Sequence, residues 1–372
     1  MMPYAQRRDR LIGCLAEEQL DALLISHPAN VTYLTGFSGD SSLLVLTRHR
    51  AILVSDPRYV GQIADECGDL ETYIRPPTQK VQEAAADLLG KLAVRTIGCE
   101  SAALTLAEAE LLRTAGPTFD WKPGSDRVER LRMVKDAGEI AAIREAIGVA
   151  ERAFAAFVAL LRPEDCEKDL ADAMEGFIRR CGGLGAAFPP IIGVGERAAL
   201  PHCPPTSKRV EQADLLLVDW GAIGKGHYRS DLTRVLATHR VASSGSADRD
   251  RLTHIHAIVL QAQQAALRAV RPGAVCKDID AAARSVIAEA GHAEHFGHGL
   301  GHGIGLQIHE GPAVRPGSET VLEVGMVFTL EPGIYLPGWG GVRIEDDVLV
   351  TPDGAEVLTH VERDLSRLSV FV

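Results

Sequence analysis

Five ionisable residues, Asp219, Asp231, His302, Glu331 and Glu345, constrain this chain more than any other feature. Each stands in an apolar or glycine-rich setting that can present it inward. Asp219 ends the run Leu215-Leu-Leu-Val218, and Asp231 opens Asp-Leu-Thr-Arg-Val-Leu. His302 lies in Gly-His-Gly-Leu-Gly-His-Gly-Ile-Gly. Glu331 follows Met326-Val-Phe-Thr-Leu330 and precedes Pro332-Gly333, while Glu345 sits in Val-Arg-Ile-Glu-Asp-Asp. Buried carboxylates repel one another and lose hydration unless cations or donors compensate. Four carboxylates and one imidazole balance two divalent cations. Hard oxygen donors with a single His favour Mn, Co, Zn or Fe over a thiolate-type site. Two such ions roughly 3.5–4 Å apart can hold a bridging hydroxide and polarise a carbonyl, an arrangement suited to hydrolysis.

The formal net charge of −11 argues against nucleic acid or an anionic membrane as a partner. No apolar run approaches the ~18 residues of a transmembrane helix. The basic N-terminus is followed by no apolar stretch of a signal peptide, so a cytoplasmic protein is expected. The seven cysteines are odd in number and dispersed, with no Cys-x-x-Cys, which reads as reduced thiols.

The chain has 372 residues, more than one core usually serves, and two domains are expected. The first half alternates. Helices are predicted over 4–18, 28–35, 58–66, 78–93 and 105–114, and strands over 22–26, 42–46, 51–55, 71–74 and 96–99. Pro117, Pro123, Gly124 and Ser125 break this pattern, placing an α/β domain at 1–128 and a second domain at 129–372. The second half predicts helices at 136–161, 167–180, 249–270 and 276–290. Its strands are predicted at 188–194, 214–221, 226–237, 326–330, 333–336, 342–350 and 355–359, an α+β arrangement. Eleven of the 13 histidines lie beyond residue 200, so the chemistry is expected in the second domain.

Asp219 and Asp231 fall on consecutive strands joined by the turn-like Gly224-Lys225-Gly226, and a hairpin returns one carboxylate to the other. His298, His302 and His309 are spaced by four and seven, with five glycines between 297 and 305. Such glycine density implies backbone that approaches something closely. Arg343 and Glu345 share one face of a strand by period two. Arg343 is placed either to orient Glu345 or to bind a substrate carboxylate bidentately. The competing explanations are a cap or turn role for one aspartate, a polar glycine loop for 297–309, and an exposed ion pair for Arg343 with Glu345.

These residues resemble the pita-bread metallopeptidase family of methionine aminopeptidases, prolidases and Xaa-Pro aminopeptidases. The order Asp, Asp, His, Glu, Glu matches throughout. So do the settings Val218-Asp-Trp-Gly-Ala222, Ser230-Asp-Leu-Thr-Arg234, Gly301-His-Gly-Ile-Gly305, Leu330-Glu-Pro-Gly-Ile-Tyr335 and Arg343-Ile-Glu-Asp-Asp347. The first half, especially Asn30-Val-Thr-Tyr-Leu-Thr-Gly-Phe37, resembles the creatinase/prolidase N-terminal domain, which methionine aminopeptidases lack. The resemblance implies a C-terminal pita-bread domain holding two divalent ions, Mn foremost. Asp219 is then private to one ion, Asp231 and Glu345 bridge, and His302 and Glu331 serve the other. It makes Glu331 the acid/base, His202 a substrate-side His near the scissile amide, and His309 the His that steadies the oxyanion. His298 becomes a pocket His, and Arg343 a positioning or carboxylate-binding Arg. Asp219 and Asp231 are twelve apart where the family pattern has eleven, which places an extra residue in the turn 223–227.

The activity implied is hydrolysis of the Xaa-Pro bond in dipeptides or at the N-terminus of short proline-containing peptides, by a homodimer. Dipeptidase and aminopeptidase stay open. A creatinase-like metal-independent C–N hydrolase shares the two-domain fold, but the intact ligand set argues against it. A catalytically silent binding module of the same fold would have lost ligands.

Overall fold

Leucine- and β-branched runs separated by short helices build the first part of the molecule. The structure, a computed structural model, describes residues 4–238 and 246–370. The chain divides into two compact units, Met1–Arg132 and Met133–Val372. In the first unit, six strands form one mixed sheet in the spatial order Glu71–Ile74, Ala51–Ser55, Leu43–Thr47, Ala22–Ile25, Thr96–Glu100 and Asp120–Gly124. The three strands at its centre run antiparallel, and the outer pairings are parallel. Ala84, Ala85, Leu88 and Leu89 of helix Val81–Lys91 pack on Leu24, Val45, Ile52 and Val54. The segment 117–128, read from sequence as a break, instead carries the sixth strand, Asp120–Gly124. Among the described residues it pairs only with Thr96–Glu100, and on an edge strand the N–H that Pro123 lacks leaves no central ladder bond unmade.

The second unit opens with helix Ala137–Leu160, started by a capping box. The Asp136 carboxylate accepts from the N–H groups of Gly138 and Glu139, and Glu139 returns a bond to the Asp136 N–H at 3.0 Å. This helix and helix Glu167–Arg180 share a core with the strands Ile191–Val194, Leu215–Trp220 and Leu232–Ala237. Leu216, Val218 and Trp220 enter that core. Trp220 stacks on Phe154 with ring centroids 4.3 Å apart, and its Nε1–H donates to Ala150 O at 2.9 Å. Leu215 and Leu217 enter a second core with helices Ser246–Ala269 and Cys276–Glu289. A five-stranded sheet, ordered Glu310–Val314, Gly301–Gly303, Val327–Leu330, Asp346–Thr351, Gly354–Val357, contributes Phe328 and Leu330 to the same core. A hairpin of Gly333–Leu336 and Gly340–Arg343 adds Ile334 and Val342. The expected order, an α/β N-terminal unit followed by an α+β unit, is the one observed.

Two strands predicted as continuous are broken, and both breaks shape the site. The stretch 226–237 contains a 3₁₀ turn at Lys225–His227, with Gly226 (φ 79°) and His227 (φ 68°) left-handed, before strand Leu232–Ala237 begins. The stretch 342–350 splits into Gly340–Arg343 and Asp346–Thr351, which belong to different sheets. Between them the Glu345 N–H donates to Thr233 O at 3.2 Å, so the chain changes sheets at the candidate ligand itself.

Candidate metal centre

Period-two alternation explains how each strand delivers a carboxylate. Phe328 and Leu330 face the helical core, and Thr329 and Glu331 take the opposite face. Val342 and Ile344 do the same for Arg343 and Glu345. On the facing hairpin, Trp220 and Leu232 are anchored in the other core, which turns Asp219, Asp231 and Thr233 the other way. His302 occupies the middle of strand Gly301–Gly303, held between Val327–Leu330 and Glu310–Val314. A Cβ on Gly301 would lie 1.9 Å from Thr329 O, and one on Gly303 equally close to Gly311 O. The close backbone approach expected of the glycine run is therefore to its own neighbouring strands.

Single donor atoms of Asp231, His302 and Glu345 all lie within 4.8 Å of one another. His302 Nε2 stands 3.5 Å from Asp231 Oδ2 and 3.6 Å from Glu331 Oε1. Its Nδ1 is 3.2 Å from Gly303 O, an acceptor, so Nδ1 carries the proton and the Nε2 lone pair faces the carboxylates. Burial pushes the His302 pKa down to about 4, and its ring is neutral, the form in which imidazole ligates. Asp219 pairs with Arg343 Nη2, and its other oxygen, Oδ1, is buried with no hydrogen-bond partner among the described residues.

All four carboxyl groups are held above their ordinary range. Desolvation is the largest cause for each. For Asp231 the charge of Glu345 adds to it, and for Glu345 the charge of Glu331 does. Asp219 is opposed by Arg343. Glu331 is pushed up to about 8, with Arg343 again opposing. A cluster that resists ionisation in isolation, with an orphaned carboxylate oxygen and an unprotonated imidazole nitrogen directed into it, has the donor chemistry to take divalent cations.

The remaining candidates line the same cavity of about 630 Å³, which also has walls of Phe188, Pro189, Pro190, Pro204 and Pro205. His202 and His309 are exposed to it, and the His309 ring lies edge-on to His302 with centroids 4.3 Å apart. His298 and Arg343 line the cavity as well, and both are bonded within the protein. The Arg343 side chain is only 3% exposed and donates to Asp219, to Thr233 Oγ1 at 3.0 Å and to the Tyr335 hydroxyl at 2.8 Å. Tyr335 in turn lies 2.9 Å from His298 Nε2, and His298 Nδ1 lies 2.8 Å from Gly299 O. Both ring nitrogens of His298 and the guanidinium are thus engaged within the protein. Tyr335 joins Arg343 and His298, which line the cavity.

Sequence reasoning missed several residues of this arrangement. Thr233 donates to Glu345 Oε2 at 2.6 Å while accepting from Arg343. Its position two after Asp231 on a strand was a usable signal, since period two puts both on one face. Asp280 and Arg284, whose bidentate ion pair holds Phe296 O, His298 O and the Leu300 N–H at 2.8–3.1 Å, gave no signal beyond an i,i+4 pair.

A model of the metallopeptidase family M24 matches residues 141–352, and one of the creatinase/prolidase N-terminal domain matches residues 7–134. The chain belongs to the metallopeptidase family M24, in the group that carries the creatinase/prolidase N-terminal domain, and is a metallopeptidase. It is 36% identical over 364 residues to an Xaa-Pro dipeptidase of Pyrococcus furiosus, covering 97% of this chain and 99% of that one. The fold superposes on an Xaa-Pro dipeptidase from Bacillus anthracis with a TM-score of 0.92 at 34% identity, covering 99% and 100% of the two chains. It superposes on an X-Pro aminopeptidase from Thermotoga maritima with a TM-score of 0.87 at 36% identity, covering 98% and 100%. The family implies divalent metal at the site. Among the described residues no helix is long and apolar enough to cross a membrane.

Proposed function

We propose that this enzyme hydrolyses the Xaa-Pro bond of short proline-containing peptides with two divalent ions, Mn foremost, held by Asp219, Asp231, His302, Glu331 and Glu345. The reading is carried by one observation: these side chains meet at a cavity that also presents His202 and His309. When bound, the ions supply Lewis acidity and a water acidic enough to act near neutral pH. The chain's own residues do the rest. The rigid wall of Phe188, Pro189, Pro190 and Pro205 packs the pyrrolidine ring. Glu331 takes a proton from the attacking water and returns it, and His202 assists its delivery to the proline nitrogen, a poor leaving group until protonated. His309 donates to the developing oxyanion. Replacing His309 by alanine is expected to lower kcat by roughly 10²–10³-fold with little change in KM, the pattern of a contact made in the transition state; steady-state kinetics check it.

Within this reading, the enzyme acts as a dipeptidase. Arg343 is committed to Asp219, Thr233 and Tyr335. Arg315 lines the same cavity and is exposed, and its guanidinium has no ion pair or hydrogen bond among the described residues, so it takes the free carboxylate of the proline. Cleavage of Ala-Pro and Ala-Pro-Ala by Mn-loaded protein separates the readings. Ala-Pro is expected to be preferred, and Arg315→Ala should raise its KM by ~10–100-fold, the value of one charge-assisted hydrogen bond, leaving Ala-Pro-Ala unaffected. Preference for the tripeptide makes it an Xaa-Pro aminopeptidase, and failure to cut either peptide with Mn, Co, Zn or Fe removes the Xaa-Pro assignment. The proposal includes a homodimer, to be measured by light scattering.

A further inference from the structure

Gln263 belongs to helix Ser246–Ala269 and is 1% exposed. Its Nε2 lies 3.2 Å from Leu330 O, 3.2 Å from Ile344 O and 2.8 Å from Asp346 Oδ2. Two backbone carbonyls and an ion-paired carboxylate are acceptors, so the amide must turn its nitrogen toward them. Its Oε1 is left buried with no partner among the described residues. An apolar side chain would spare the fold that orphaned oxygen, and buried polar atoms without partners are rare enough to call for a reason. The reason lies in what the amide joins. Leu330 and Ile344 immediately precede Glu331 and Glu345; Leu330 ends strand Val327–Leu330, and Ile344 lies in the short crossing between strands Gly340–Arg343 and Asp346–Thr351, which belong to different sheets. The third acceptor, Asp346, is itself held by Arg234, Arg363 and Thr359. One amide therefore ties the backbone just before two of the candidate ligands to a fixed carboxylate.

We propose that Gln263 is a positioning residue that sets the separation of the Glu331 and Glu345 carboxylates and thereby the affinity for divalent metal. The inference rests on the metal reading above. It assigns to one residue of helix Ser246–Ala269 the task of fixing Ile344, in the crossing between two sheets, to the end of the ladder in which Leu330 pairs with Asp346. Partners behind metal ligands typically govern affinity through such orientation.

The test is calorimetric titration of Mn²⁺ into metal-stripped full-length protein. Gln263→Met, close in size and unable to donate, is expected to weaken binding by ~10–100-fold with an unchanged circular dichroism spectrum. Thr359→Val removes another bond to the same Asp346 without touching the two carbonyls, and is expected to bind Mn²⁺ as the wild type does. Gln263→Met binding within threefold of wild type overturns the proposal. So does Thr359→Val weakening it equally, because the effect would then be general loosening of the core. If Gln263→Met does not fold, Gln263→Asn, one methylene shorter, carries the same expectation. Glu345→Gln separates the two claims. If it too binds as wild type, the metal reading falls and this inference with it; if it loses binding while Gln263→Met does not, only the positioning role falls.

Discussion

Replacing Glu331 by glutamine is expected to lower kcat on an Xaa-Pro peptide by roughly 10²–10⁴-fold, the range for loss of a positioned acid/base. The substitution keeps the side chain's size and removes its charge and its proton-carrying capacity. In the metal-free protein burial pushes the carboxyl up to about 8, and a cation beside it draws it down, so its hold on a proton depends on what occupies the site. Its Oε1 is 3.6 Å from His302 Nε2, which places it among the candidate ligands as well as in the proton-carrying role. Metal analysis separates these duties. Full metal content with lost turnover isolates the proton role, and loss of one ion per chain isolates the ligand role. Retention of more than a tenth of wild-type kcat would remove Glu331 from the mechanism.

Stripping the metal is expected to make stability fall as pH rises from about 6.5 to about 8, by on the order of 10 °C in Tm, and added Mn²⁺ to abolish that fall. Desolvation raises Asp219, Asp231, Glu331 and Glu345 above their unfolded values near 4. The folded chain then keeps protons that the unfolded chain has released. The stability these groups contribute is full below their unfolded pKa values and is lost as pH climbs through the folded ones, up to about 8 for Glu331. His298 and His302, lowered by burial to about 4, act in the opposite sense. Their contribution is present above the ordinary histidine value and is lost as pH drops toward 4. The two sets oppose each other between about 4 and 6.5, leaving the carboxylates alone above that range. Scanning calorimetry of stripped and Mn-loaded protein across pH 6–8.5 reads the effect; a Tm of the stripped protein that stays level or rises over that range would exclude it.

Much of this was legible in the residues alone. The helices predicted at 28–35 and 167–180, and the strands at 51–55, 71–74 and 333–336, have the bounds found in the structure. Local hydrophobic periodicity and turn residues carry that information within a few positions. The five residues singled out for metal do converge on one cavity, because strand alternation and burial turn all of them to its side. The hairpin joining Asp219 to Asp231 was expected too, although its longer turn needed two left-handed residues, Gly226 and His227, to close. The sixth strand at Asp120–Gly124 was missed because edge pairing tolerates the Pro and Gly that signal a turn elsewhere.

What the sequence by itself determined is the order of elements and the identity of the five residues that meet, since both rest on short-range pattern. What only the tertiary structure decided is how those residues are held. Arg343 lies against Asp219, Thr233 and Tyr335, at separations of 124, 110 and 8 residues. Glu345 reaches Thr233 across 112, and Gln263 reaches Leu330 and Ile344 across 67 and 81. Such contacts leave no periodic trace along the chain. They are set by which strand ends face one another once the two cores have packed, and a guanidinium or amide buried there takes whichever acceptors that packing supplies.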